Sequence, residues 1–131
     1  YYKLLKRKPI VAVLGLNPHN SELRYNSEER KVIIPAIKKL KKDNYKIIGP
    51  FSSDTIFLKK KKYQYDVIVG MYHDQVLAPF KTIYGYDAIN VTLGLKYIRI
   101  SPDHGVAKDI VKKNRAETLS LIKAVKFILK N

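Results

Sequence analysis

No cysteine occurs among the 131 residues, so disulfide frameworks and cysteine-based zinc centres are excluded. No apolar run approaches the roughly 20 residues that a membrane-spanning helix needs, and no signal-like apolar segment opens the chain. Several common site signatures are missing too. There is no Gly-x-Gly-x-x-Gly, which removes a Rossmann dinucleotide fingerprint, and there is no Walker lysine loop, His-Glu-x-x-His or Gly-x-Ser-x-Gly elbow. Acidic residues are scarce, 11 against 26 basic ones, for a formal net charge of +15. Such a surplus invites a nucleic-acid reading. Yet 21 of the basic residues are lysine and 5 are arginine, and runs such as Lys59 to Lys62 lie between apolar segments. Nucleic-acid readout leans on arginine forks and aromatic platforms, and neither clusters here. The lysines therefore read as solvated loops and helix faces. The expectation is a cytoplasmic chain with no nucleic-acid or membrane partner, whose positive potential suits a small anionic substrate.

What is present alternates short apolar runs with helical periodicity, the pattern of βα units, and the fold class reads as α/β. The length suits one modest core, and a start at Tyr1 rather than methionine suggests a piece of something longer. Ile10 to Gly15 reads as a buried parallel strand. Val32, Ile33, Ile37 and Leu40 recur at helical spacing, with Pro35 in a first turn or at a kink. Tyr45 to Ile48 reads as a second strand closed by Gly49-Pro50, followed by a short helix from Asp54 to Leu58. Val67 to Met71 reads as a third strand. Gln75 to Ile83 suits a helix despite Pro79. Ala88 to Leu93 and Tyr97 to Ile100 suit a hairpin around Gly94. A last helix carries Leu121, Val125, Ile128 and Leu129 on one stripe.

All three histidines follow strand-like runs: VAVLGLNPH (His19), DVIVGMYHDQ (His73) and YIRISPDHG (His104). Ligands of α/β sheets gather where strands end, so three imidazoles on one rim suggest a metal or cofactor site. Each also has a plainer reading. Asn17-Pro18 turns the chain ahead of His19, and a histidine in a turn is ordinarily a surface or capping residue. Asp74 and Gln75 after His73 suit orienting its ring or starting a helix. Lys81 has apolar and proline neighbours and reads as a partly sheltered cation. Asn90 interrupts an apolar strand, where a buried amide needs a partner or ligand. Arg99 interrupts another; its fork suits a substrate carboxylate or phosphate, or one of the few acids. Gly105 permits a positive φ or a close backbone approach, and the following loop leads to a helix start.

Taken together, Gly15-Leu16-Asn17-Pro18-His19, Met71-Tyr72-His73-Asp74-Gln75, Ala78-Pro79-Phe80-Lys81, Asn90-Val91-Thr92-Leu93-Gly94-Leu95 and Ser101-Pro102-Asp103-His104-Gly105 resemble the 4-hydroxythreonine-4-phosphate dehydrogenase family of pyridoxal phosphate biosynthesis. The agreement runs from about Pro9 to the end. Members of the family are much longer. The resemblance therefore implies that residues 1–131 are a single α/β lobe, the C-terminal part of a dehydrogenase with an isocitrate/isopropylmalate dehydrogenase-like fold.

The resemblance also implies a homodimer with its site at the interface, NAD or NADP as cofactor, and a divalent metal (zinc, cobalt or magnesium) held by three histidines. Two of these match His19 and His73, and the third belongs to the upstream part. Neutral imidazoles suit zinc, cobalt or nickel better than magnesium on grounds of softness. His104, Gly105 and Asp109 fall in a loop similar to the superfamily's His-Gly-x-Ala-x-Asp-Ile cofactor loop. Substrate contacts match Lys81, Asn90 and Arg99, and no other residue is assigned a catalytic role. The implied reaction oxidises 4-phosphooxy-L-threonine to 2-amino-3-oxo-4-phosphooxybutanoate, which decarboxylates to 3-amino-2-oxopropyl phosphate. The alternatives are a dehydrogenase of another four-carbon 4-phosphate hydroxy acid, or a catalytically incomplete fragment of such an enzyme. Two stretches depart from the family pattern: Asn20 to Tyr25 replaces a glycine-rich segment after His19, and Val111-Lys112-Lys113 replaces Ala-Gly-Lys.

Overall fold

A computed structural model describes residues 6–19, 24–58, 64–105 and 107–130. The lysine run Lys59 to Lys62 and the segment 20–23 after His19 lie outside the described residues. Where the sequence reads as one lobe, the backbone divides into two compact units, Tyr1–Pro79 and Phe80–Asn131.

The first unit is built on a parallel sheet of order β2-β1-β3, with β1 (Val11–Leu14) between β2 (Ile47–Phe51) and β3 (Val67–Val69). Val11 is in register with Ile47 on one side and Val67 on the other. A central strand covered on both faces explains the unbroken apolar run. The pleat sends Val11 and Val13 to one face, where they meet Ile33, Ile37, Ile47 and Met71. Ala12 and Leu14 go to the other, fully buried, beside Ile56, Phe51, Ile68 and Val76. The first face is covered by α1 (Ile34–Lys42), which continues a π-helical turn, Glu29–Ile33. Pro35 sits where the π-helical turn, closed by the Ile34 N–H on the Glu29 carbonyl, gives way to α1, so the missing N–H falls at the change of helix type.

Two sequence expectations change here. The second strand does not stop at Gly49-Pro50 but runs through that cis peptide to Phe51. Gly49 makes this possible, with φ at +127° and a position where a Cβ would lie 2.4 Å from the Val13 carbonyl oxygen. Asp54 to Leu58 is a run of turns rather than a helix. Only separate bonds form, Ile56 N to Ser52 O and Leu58 N to Thr55 O, so no continuous helical ladder develops.

After β3 comes α2 (His73–Tyr84), with Pro79 inside it; its last residues belong to the second unit. That unit holds an antiparallel pair, β4 (Ile89–Thr92) and β5 (Arg99–Pro102), a 3₁₀ turn Lys108–Ile110, and α3 (Leu119–Lys130). The hairpin is as expected, with β5 displaced toward Pro102. α3 packs on both strands, but not through the stripe its periodicity suggested. Its buried residues are Ser120 and Ala124, while Leu121, Val125 and Leu129 are exposed. Ser120 decides the docking face: its Oγ donates to the Ala88 carbonyl and accepts the Asp103 N–H at 2.6 Å.

Candidate functional site

In the first unit the chain leaves β1 for β2 on one side and then returns to β3 on the other. Neighbouring strand ends from which connections depart in opposite directions leave a crevice, the usual ligand position in open α/β sheets. His19 follows the end of β1, and His73 is the first residue of α2, just past β3. The structure thus brings these two histidines to one rim. His104 follows β5, a strand of a different, antiparallel sheet, so the expectation of three imidazoles on one parallel rim is corrected to two.

The loop bearing His19 is tightly held. Asn17 N donates to Glu29 Oε1 at 2.7 Å, His19 N donates to Asn17 Oδ1 at 3.0 Å, and Ser53 N donates to the Pro18 carbonyl at 3.0 Å. Ser52 Oγ donates to the His19 carbonyl. Glu29 is 2% exposed, and the Asn17 amide holds its carboxyl below the ordinary glutamate value against the opposing effect of burial. Gln75 is likewise buried. Its Nε2 donates to the Gly15 carbonyl at 2.7 Å and its Oε1 accepts the Met71 N–H at 2.7 Å. Sequence reasoning missed Glu29 altogether and gave Gln75 a different part, beside the His73 ring or at the helix start. A lone acid and a lone amide carry no spacing signal, and only the fold puts them against the strand ends.

Each imidazole faces a carboxylate through Nδ1: His19 with Asp54 at 3.2 Å, His73 with Asp74 at 2.6 Å. In a neutral ring so partnered, Nδ1 carries the proton and the lone pair falls on Nε2, the arrangement found behind metal-bound histidines. The donor chemistry therefore fits a divalent ion. Two nitrogens do not complete a site, and among the described residues no three His, Cys, Asp or Glu side chains group closely enough to hold a metal. Asp74 performs the orienting part that the His73-Asp74-Gln75 run suggested; Gln75 does not touch the ring.

In the second unit Lys81 is the partly sheltered cation expected, 31% exposed and paired with Asp103 Oδ2 at 2.8 Å. Its Nζ also donates to the Asp103 carbonyl at 2.9 Å and lies 5.5 Å from the Tyr86 ring centre, which meets His104 edge-on. Asn90 is exposed, correcting the expectation of a buried amide. Cross-strand register pairs Asn90 with Ser101 and Thr92 with Arg99. Directly opposed residues share a face, and so do alternate residues, which places Asn90 and Arg99 on the same one. Arg99 Nη1 donates to Thr92 Oγ1 at 2.8 Å, and among the described residues no acid pairs with it.

The loop around Gly105 also differs from expectation. The left-handed residue there is Ala107, with φ at 50°, and a Cβ at Gly105 would meet nothing within 4 Å. Only the 3₁₀ turn follows, and the backbone of Asp109 lies within it. Beside it an open hollow of about 460 Å³ is lined by Ile110, Lys112, Asn114, Arg115 and Ala116.

Comparison with known proteins adds a family. Residues 2–128 match the model for "Pyridoxal phosphate biosynthetic protein PdxA". A 4-hydroxythreonine-4-phosphate dehydrogenase from a Sulfurihydrogenibium species is 46% identical over 93% of this chain and 38% of its own length. A D-threonate 4-phosphate dehydrogenase from Salmonella typhimurium is 40% identical over 93% of this chain and 38% of its own length. Among solved structures, a 4-hydroxythreonine-4-phosphate dehydrogenase from Klebsiella pneumoniae superposes with a TM-score of 0.74 at 36% identity, covering 92% of this chain and 37% of that one. The chain thus spans well under half the length of the relatives it matches.

Proposed function

The chain belongs to the pyridoxal phosphate biosynthetic protein PdxA family, and from that premise we propose that it is the C-terminal part of a metal-assisted, NAD- or NADP-dependent dehydrogenase of 4-phosphooxy-L-threonine. The observation that carries the reading is the arrival of His19 and His73 at adjacent strand ends, each with a carboxylate on Nδ1. These rings would hold a zinc, cobalt or magnesium ion through Nε2, with Asp54 and Asp74 fixing ring orientation. Such an ion acts as a Lewis acid on the secondary hydroxyl to be oxidised.

Lys81 and Arg99 supply the positive charge that the substrate's carboxylate and phosphate require, and Asn90 shares a face of the hairpin with Arg99. A substrate anion would displace Asp103 as the partner of Lys81. The neighbourhood of His104, Gly105 and Asp109 is the proposed seat of the nicotinamide cofactor, which takes up the hydride. Open space at Gly105 and the basic hollow at Lys112 and Arg115 suit its phosphates. The wider proposal is an isocitrate/isopropylmalate dehydrogenase-like fold, a cytoplasmic homodimer, and a third metal ligand from the remainder of the longer chain. The exposed apolar residues of α3, among them Leu121, Val125 and Ile128, suit burial against that remainder or a partner subunit. No described helix is long and apolar enough to cross a membrane. On this reading residues 1–131 alone do not turn over.

The Salmonella relative favours a second reading, in which the same scaffold oxidises D-threonate 4-phosphate. Assaying the full-length protein for nicotinamide reduction with both substrates, before and after chelation, separates the two. The leading proposal expects chelator-sensitive turnover of 4-phosphooxy-L-threonine, abolished by His73→Ala. Turnover of D-threonate 4-phosphate alone selects the second reading, and full turnover by His73→Ala removes the metal role of that residue.

A further inference from the structure

We propose that Gln75 is a positioning residue that sets the spacing between the two histidine-bearing loops; its consequence for metal binding rests on the reading of His19 and His73 above. The parallel register of β1 and β3 extends through Val13 opposite Val69. Beyond it the strands end, and the next polar groups between them are bridged by the Gln75 side chain. Its Nε2 donates to the Gly15 carbonyl, one residue past β1, and its Oε1 accepts the Met71 N–H, two residues past β3.

A primary amide offers a donor and an acceptor in one plane, as a peptide unit does. Gln75 therefore adds a rung to the ladder where the main chain can no longer supply one. The rung lies four residues before His19 and two before His73. It is 6% exposed, so water does not compete for either bond. Gly70 fits the same arrangement: a Cβ there would lie 2.3 Å from Val76 Cγ2 and 3.4 Å from Gln75 Oε1, so β3 must end on a residue without a side chain for α2 to bring Gln75 in.

No other residue type serves equally. Leucine removes both bonds, and glutamate keeps the acceptor for Met71 but faces the Gly15 carbonyl with a second oxygen. Val76 packs in the core beside Gln75 and makes no bond to either loop, so Val76→Ala is the control for loosened packing alone.

The test uses the full-length protein carrying Gln75→Leu, Gln75→Glu or Val76→Ala, with two readouts. In metal-free protein, amide hydrogen exchange at residues 15–19 and 71–73 is expected to quicken in both segments together in Gln75→Leu, by about tenfold, and in neither in Val76→Ala. Gln75→Glu serves where leucine costs the fold, and is expected to release 15–19 more than 71–73. In a titration with Co²⁺ followed by its absorption, Gln75→Leu is expected to bind about tenfold more weakly with an altered spectrum, as loss of an orienting neighbour typically does. Val76→Ala is expected to bind as the parent does, whatever its Tm. Unchanged exchange in both segments overturns the proposal. So does parent-like Co²⁺ affinity in Gln75→Leu, or affinity lost by both variants in proportion to Tm. Absence of Co²⁺ binding by the parent removes the metal reading instead, and the exchange result then decides on the brace alone.

Discussion

The two rims of the parallel sheet are held by different chemistry. At the rim where the strands begin, Arg7 grips Asp66 through two bonds, Nη1 to Oδ2 at 2.8 Å and Nη2 to Oδ1 at 2.6 Å, and Ile10 N donates to the same carboxylate at 2.8 Å. Arg7 is 54% exposed. At the rim where the strands end, the corresponding task falls to Gln75 and Glu29, both buried and bonded to main-chain groups. A solvated ion pair is screened and replaceable. A buried hydrogen-bonded group is neither, because removing it leaves its partner without water or protein. The rim carrying the candidate ligands is held through bonds to its backbone, while the histidine rings themselves stay accessible, His73 at 78%. Rigid support under exposed ligands is what a preorganised site requires.

Four measurements put the difference between the two rims to the test. The largest effect is expected from Gly49→Ala, where β2 must pass the Val13 carbonyl at a positive φ; urea melts should show a loss of about 3 kcal/mol or more. A neutral result would mean that the strand-end rim tolerates displacement. Glu29→Ala comes next, with a loss of about 1–2 kcal/mol, because the half-buried Asn17 N–H loses its acceptor.

Acid titration follows. The Glu29 carboxyl is lowered chiefly by the Asn17 amide, and that of Asp66 by the Arg7 side chain and then the Ile10 amide. A lowered folded value means that the stabilisation is complete above the ordinary carboxylate range and disappears as pH falls through the lowered value. Stability should therefore decline on acidification, and Glu29→Gln should flatten the part of that slope which belongs to the strand-end rim. A slope identical to the parent's would show that Glu29 does not contribute to it. The smallest effect is expected from Arg7→Ala, detectable at low salt and lost within error in 1 M salt. A large, salt-independent effect would make the two rims alike.

The sheet was legible because its physics is local. Val11 to Leu14 and Val67 to Val69 are unbroken apolar runs, and β1, covered on both faces, permits little else. The site was legible in part for the same reason, since Asn17-Pro18-His19 and His73-Asp74 directly follow such runs. What misled was composition read without partners. Leu121, Val125 and Leu129 looked like the buried stripe of α3, yet a small hydroxyl, Ser120, found two backbone partners and turned the helix the other way. Asn90 looked buried because its neighbours are apolar, yet apolar neighbours along a strand do not say what packs above a given residue, and Asn90 is exposed.

Taken alone, then, the order of residues determined the apolar runs, the turns after them, and hence which imidazoles stand at strand ends. Those are consequences of side-chain period and backbone sterics over a few neighbouring residues. Tertiary structure decided the rest: that β1 lies between β2 and β3 so that His19 and His73 share a rim, that His104 follows a strand of another sheet, and that Glu29 and Gln75 hold the first of these arrangements in place. Those outcomes depend on hydrogen-bond partners as many as 60 residues apart along the chain. A buried donor or acceptor must be satisfied wherever the fold brings its partner, and no short stretch of sequence encodes where that will be.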